Sequence, residues 1–87
     1  QKAGSLRLFP NPAVNAVTAS ISLEKSGNAT ILITDMKGTI VKKNNQSLTA
    51  GNTSLAIDCS GYASGTYLLT VLTADGGRLM EKLIIRH

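Results

Sequence analysis

Two apolar runs near the end of the chain, 67–72 and 83–85, flank Asp75-Gly76-Gly77, and this pairing constrains the fold more than any other stretch. Runs rich in Leu, Val and Ile on either side of an Asp-Gly step are a strong local signal for a β-hairpin. Glycine supplies the positive φ that such a turn needs, and Asp can hydrogen-bond to its own backbone there. The first run is the most apolar in the sequence, yet too short to cross a bilayer as a helix. The second finishes on Lys82-Leu83-Ile84-Ile85-Arg86-His87 with no polar tail, whereas chain ends usually fray into small polar residues unless tied down. Two readings compete for it: a core strand only, or a core strand that another protein also reads.

The rest of the chain repeats the same grammar. In 17–23, Val17, Ala19, Ile21 and Leu23 share one face, while Thr18, Ser20 and Ser22 share the other, which predicts a half-buried antiparallel strand. The segment 29–35 follows suit with Ala29, Ile31 and Ile33 in phase. Its closing Asp35-Met36-Lys37-Gly38 turn sends 39–43 back as a hairpin partner. Residues 44–50 read as a polar connection. A strand over 53–57, with Leu55 and Ile57 inward, is closed by a second Asp-x-x-Gly turn at 58–61. Near the start, Pro10-Asn11-Pro12 removes two amide donors, so 6–13 reads as an edge segment or turn anchored by Leu8 and Phe9.

In the hairpin, Tyr67, Leu69 and Val71 form one face and Leu68 and Leu72 the other, so that strand reads as covered on both sides near its middle. In the last strand Leu83 and Ile85 are in step with Glu81, while Ile84 is in step with Lys82 and Met80. A bulge near Glu81-Lys82 would reconcile the two phases. Short strands at roughly ten-residue spacing, each followed by a turn signal, describe an all-β, two-sheet sandwich. The expected inward set is Leu8, Val17, Ile21, Leu23, Ile31, Ile33, Val41, Leu55, Ile57, Tyr67, Leu69, Val71, Leu83 and Ile85.

Composition narrows the chemistry. The 87 residues suit one domain, read as 6–87 after a linker end at 1–5. The opening Gln1-Lys2-Ala3-Gly4-Ser5 has neither Met nor an apolar signal core, which suggests a piece of a longer protein. Net charge is +4, but the nine cations are scattered, with only Lys42 and Lys43 adjacent. Phe9, Tyr62 and Tyr67 are the only aromatics, too few to build the stacking platforms of a single-strand binder. Nucleic acid is therefore set aside in favour of a weak general attraction to acidic surfaces. The lone Cys59 cannot form an internal disulfide and reads as a small, partly buried apolar residue.

No Ser/His or Cys/His arrangement, phosphate loop or metal-ligand spacing is present, so an enzyme is not expected. Asp35, Asp58 and Asp75 could together hold calcium, but each sits at a turn that it can stabilise alone. His87, a lone terminal His, is weighed as a ligand and expected to be solvent-exposed. Asn28, Asn45 and Asn52 match the glycosylation pattern, as chance allows in a chain so rich in Asn, Ser and Thr. Lys42-Lys43 reads as a solvated strand end that discourages edge-to-edge pairing.

Taken in order, several motifs resemble a known family. They are Leu8-Phe9-Pro10-Asn11-Pro12, Ile31-Leu32-Ile33-Thr34-Asp35 with Met36-Lys37-Gly38, Leu48-Thr49-Ala50-Gly51-Asn52, Leu55-Ala56-Ile57-Asp58, Gly65-Thr66-Tyr67-Leu68-Leu69 and Lys82-Leu83-Ile84-Ile85-Arg86. Together they look like the C-terminal sorting domain (type A) of type IX (Por) secretion system cargo proteins from Bacteroidetes. Each motif is weak alone; their order and spacing give the resemblance its specificity. It departs at Cys59-Ser60-Gly61-Tyr62, where the family often has a Leu-rich stretch, and at His87 after the basic ending.

The resemblance implies an immunoglobulin-like antiparallel β-sandwich of about seven strands. It implies an address rather than a catalyst, although the parent cargo can be an enzyme. The type IX translocon and its shuttle proteins would recognise the domain in the periplasm. A sortase would then cut near or before residues 1–5 and attach the cargo to anionic lipopolysaccharide, leaving it at the cell surface or secreted. No cofactor, nucleic acid or membrane insertion is implied, and self-association through edge strands is one further expectation. Pro10, Asn11, Pro12, Asp35, Gly38, Gly65 and Tyr67 match the family motifs, and Lys82, Leu83, Ile84, Ile85 and Arg86 match its recognition segment. An edge strand could be read there by strand addition, with Lys82 and Arg86 setting register. Two other readings stay open. One is an immunoglobulin- or fibronectin-like adhesion module binding carbohydrate or protein, which the scarcity of aromatic residues disfavours. The other is a structural cap on an enzyme.

Overall fold

Period-two alternation in the sequence becomes seven β-strands in the computed structural model, which describes residues 4–9, 15–74 and 76–86. They are β1 (Gly4–Phe9), β2 (Ala16–Leu23), β3 (Gly27–Asp35), β4 (Ile40–Leu48), β5 (Gly51–Asp58), β6 (Gly65–Thr73) and β7 (Arg78–Ile85). Every neighbouring pair is antiparallel, and the strands form two sheets in the orders β1-β2-β5 and β4-β3-β6-β7. This is an immunoglobulin-like sandwich in which β4 joins the sheet of β3, β6 and β7. Pro10, Asn11, Pro12, Asp75 and His87 lie outside the described residues.

The core follows the alternation. Val17, Ala19, Ile21 and Leu23 of β2 face Ala29, Ile31 and Ile33 of β3, Tyr67, Leu69 and Val71 of β6, and Leu79, Leu83 and Ile85 of β7, all buried. Of the expected inward set, Leu8 and Leu55 are only half-buried and Val41 is exposed. Leu6, Leu48, Cys59 and Leu79 join the core instead, and Phe9, expected as an anchor of the entry segment, is half exposed. Val41 fails because β4 is an edge strand that bulges there: Ile33 pairs with Lys42 but Thr34 with Ile40, leaving Val41 without an opposite residue.

The bulge expected at Glu81-Lys82 is absent, and β6 and β7 stay in register from Gly65↔Ile85 to Leu72↔Arg78. Glu81 simply occupies an inward-phase position at the rim, where it remains exposed. The polar connection expected at 44–50 is mostly strand: β4 continues to Leu48, held by cross-strand bonds from Thr30 to Asn45 (2.8 Å) and from Ser47 to Asn28 (3.0 Å). Polar pairing can hold an edge strand that has no apolar face of its own.

Two turns share one design. Gly38 N–H bonds to Asp35 O and Asp35 N–H to Thr39 O, just as Gly76 N–H bonds to Thr73 O and Thr73 N–H to Gly77 O. Gly38 and Gly76 both sit at positive φ, +90° and +91°, where a side chain would be strained although space is open around each. These are three-residue hairpin loops ending in a left-handed glycine. On one side of the sandwich β1 packs against β7. On the other, β4 and β5 leave a slit of about 80 Å³ floored by Ile31, Ile33, Leu55 and Ile57 and rimmed by Lys42, Asn44 and Gln46.

Candidate recognition surface

Among the described residues, β7 forms one edge of the four-stranded sheet and pairs with β6. The Thr73–Gly77 bond fixes the ladder's phase, so Val71/Leu79, Leu69/Glu81, Tyr67/Leu83 and Gly65/Ile85 face each other as hydrogen-bonded pairs. Backbone groups of Met80, Lys82 and Ile84 then point toward the sheet edge. The side chains divide by phase: Leu83 and Ile85 are 0% and 1% exposed, Ile84 is half-buried, and Lys82 and Arg86 are exposed. Side chains along the predicted recognition segment thus alternate between core and surface.

Of the family-motif residues that the structure describes, Gly65 and Tyr67 pair with β7, and Asp35 and Gly38 lie at the β3–β4 turn. Asp35, Tyr67 and Leu83 lie in one row across β3, β6 and β7, and Gly65 pairs with Ile85 two residues along. The Asp35 carboxylate accepts bonds from the amides of Lys37 and Thr39, both at 2.9 Å, which fixes the turn that Gly38 completes. The Tyr67 hydroxyl donates to Ala63 O at 2.7 Å, and its ring lies 5.7 Å from that of Tyr62 at a 39° tilt. Asp35 and Gly38 therefore set the β3–β4 turn, whereas Gly65 and Tyr67 support β7 directly.

The Asp58 turn is built alike. Its carboxylate accepts from Ser60 N–H (3.0 Å) and Ser60 Oγ–H (2.8 Å). Those bonds, aided by the charge of Lys42, hold its pKa below the ordinary value. Asp35 and Asp58 each serve their own turn, and no group of His, Cys, Asp or Glu suited to a metal occurs among the described residues. Cys59 is fully buried rather than partly, and burial pushes its thiol pKa up, as it does for the Tyr62 phenol. Cys59 N–H is bonded to Asn15 O at 2.9 Å, tying this turn to the start of β2.

Arg78 and Met80, which the motif reading passed over, share the outward phase with Lys82 and Ile84. Counting back by twos from Ile84 was the signal that could have found them. Among the described residues no helix is long and apolar enough to cross a membrane.

No curated protein matches the chain. The family model of the secretion system C-terminal sorting domain matches residues 7–86, a span that takes in β2 to β7 whole and the second half of β1. With nearly the whole sandwich covered, the chain belongs to that family, the C-terminal sorting domains of type IX secretion, whose role is to mark proteins for export toward the outer membrane and the cell surface.

Proposed function

We propose that this domain is the address read on a larger cargo by the type IX translocon and its shuttle proteins, through Lys82 and Arg86 with Ile84 between them. Leu83 and Ile85 hold the segment in the core. The observation that carries this reading is the division within β7: the segment's apolar side chains are buried while its two cations are presented to solvent. In this reading the cargo meets the machinery in the periplasm, and a sortase later severs the domain upstream, near or before residues 1–5. The domain is substrate and label; a sorting domain is not itself catalytic.

The test replaces Lys82 and Arg86 with Ser in a reporter that carries the chain at its C-terminus, expressed in a bacterium with a working type IX system. Both side chains are exposed, so the fold should persist, checked by an unchanged unfolding midpoint. Export should fall by about tenfold or more, as expected when charges at a recognition surface are removed. Normal export of the folded double variant would reject the assignment.

A further inference from the structure

The outer face of the β6–β7 hairpin extends the recognition segment backwards. Its outward phase on β7 reads Arg78, Met80, Lys82, Ile84, and the same step brings Arg86 just past the strand, so cations and apolar residues alternate. Across the hairpin these side chains meet Leu72, Thr70, Leu68 and Thr66, in that order. None of the described acidic residues lies on this face. Glu81 is in the inward phase, Asp35 closes the β3–β4 turn, Glu24 follows β2, and Asp58 ends a strand of the other sheet. Among the described residues, one sign of charge therefore borders an apolar and threonine-lined strip.

Successive cations in this row are four residues apart, about 13 Å along a strand. That exceeds the Debye length of about 8 Å at physiological ionic strength, so the cations act as separately screened charges rather than one concentrated patch. A partner that engages the whole row would match it with charges at the same pitch. Of the apolar side chains between them, Met80 is 49% exposed, while Ile84 and its cross-strand neighbour Leu68 are half-buried. The strip has no aromatic residue to enter a lipid headgroup layer, as surface-seeking faces usually do.

We infer that the recognition surface begins at Arg78 and that its partner is a protein face presenting a row of carboxylates, spaced about 13 Å apart, with apolar side chains between them. This rests on the reading of Lys82 and Arg86 given above, and widens it to Arg78 and Met80.

The test uses the same reporter with Arg78→Glu, leaving Lys82 and Arg86 intact, beside Lys25→Glu, an equal charge reversal in the β2–β3 turn. Export should fall about tenfold for Arg78→Glu and stay normal for Lys25→Glu, with unfolding midpoints unchanged in both. Normal export of Arg78→Glu while the Lys82/Arg86 double variant fails would overturn the longer row and spare the shorter segment. Normal export of all three would overturn both. An equal loss in Lys25→Glu would reduce the effect to net charge and also overturn the row. Vesicles of phosphatidylglycerol test the other occupant: binding by the wild-type chain that Arg78→Glu abolishes, with export unaffected, would assign the face to lipid.

Discussion

The hydroxyl of Tyr67 donates to the carbonyl oxygen of Ala63, four residues earlier, at 2.7 Å. Tyr67 is the third residue of β6, and Ala63 lies in the crossing from the β5 sheet, so the bond fixes the angle at which the chain enters β6. Sandwiches of this class commonly place a tyrosine at such a corner. On its other side Tyr67 pairs with Leu83, so what the corner positions is the centre of the terminal strand.

Tyr67→Phe keeps the ring in the core and removes only this bond. The loss should be about 0.5–1.5 kcal/mol, since the carbonyl left behind is partly buried. A urea titration measures it: the midpoint should drop with no change in slope. An unchanged midpoint would show that water replaces the tyrosine at Ala63 without cost.

Which parts of this fold could be read from sequence follows from which residues enforce it. The alternation of Val17, Ala19, Ile21 and Leu23, and of Tyr67, Leu69 and Val71, requires one face to be buried, and a shift of one residue would expose the whole set. Those strands were therefore legible. β4 was legible only in its first half, where the 35–38 turn sends 39–43 back; Asn44, Asn45 and Gln46 hold their places through pairing with β3 rather than burial, and pairing leaves no periodic mark. The bulge at Val41 was missed for a related reason: on an exposed edge an extra residue disturbs no core contact. In β7 the error ran the other way. Glu81 looked out of phase with its apolar neighbours, but a charge at the rim can take an inward position and still reach water. Of the candidate surface, the motif marked Lys82 to Arg86; Met80 was already in step with Lys82 and Ile84 in the sequence, while that this phase faces outward and takes in Arg78 emerged only with the register.

Lys42 suggests how the far edge of the same sheet stays unpaired. It occupies an inward phase opposite Ile33, at the rim of the slit between β4 and β5, next to the bulge at Val41. An inward lysine and a bulge are both devices that make an edge strand a poor template for another chain. Lys42→Ile removes the charge and lines the slit with a fourth β-branched side chain beside Ile31, Ile33 and Ile57. The variant should gain up to about 1 kcal/mol of stability from the added apolar contact. It should also self-associate more strongly than the wild-type chain, with a higher apparent mass in sedimentation at equal concentration. Equal masses for the two would show that the bulge alone protects the edge.

Asp58 makes the acid end of the stability curve specific. Bonds from the amide and the hydroxyl of Ser60, and the attraction of Lys42, lower its pKa in the folded chain from the ordinary 3.8. Between the folded and unfolded values the unfolded chain binds the extra proton, so stability rises with pH across that interval. The contribution is complete above the unfolded value and disappears as pH falls through the folded one. Asp58→Asn cannot take up that proton. Unfolding midpoints measured from pH 7 down to pH 2 should therefore fall more steeply for the wild-type chain than for the variant, with the two curves drawing together at the acid end. Parallel curves would mean that Asp58 is equally acidic in the unfolded chain, and that the Ser60 bonds add nothing to the fold.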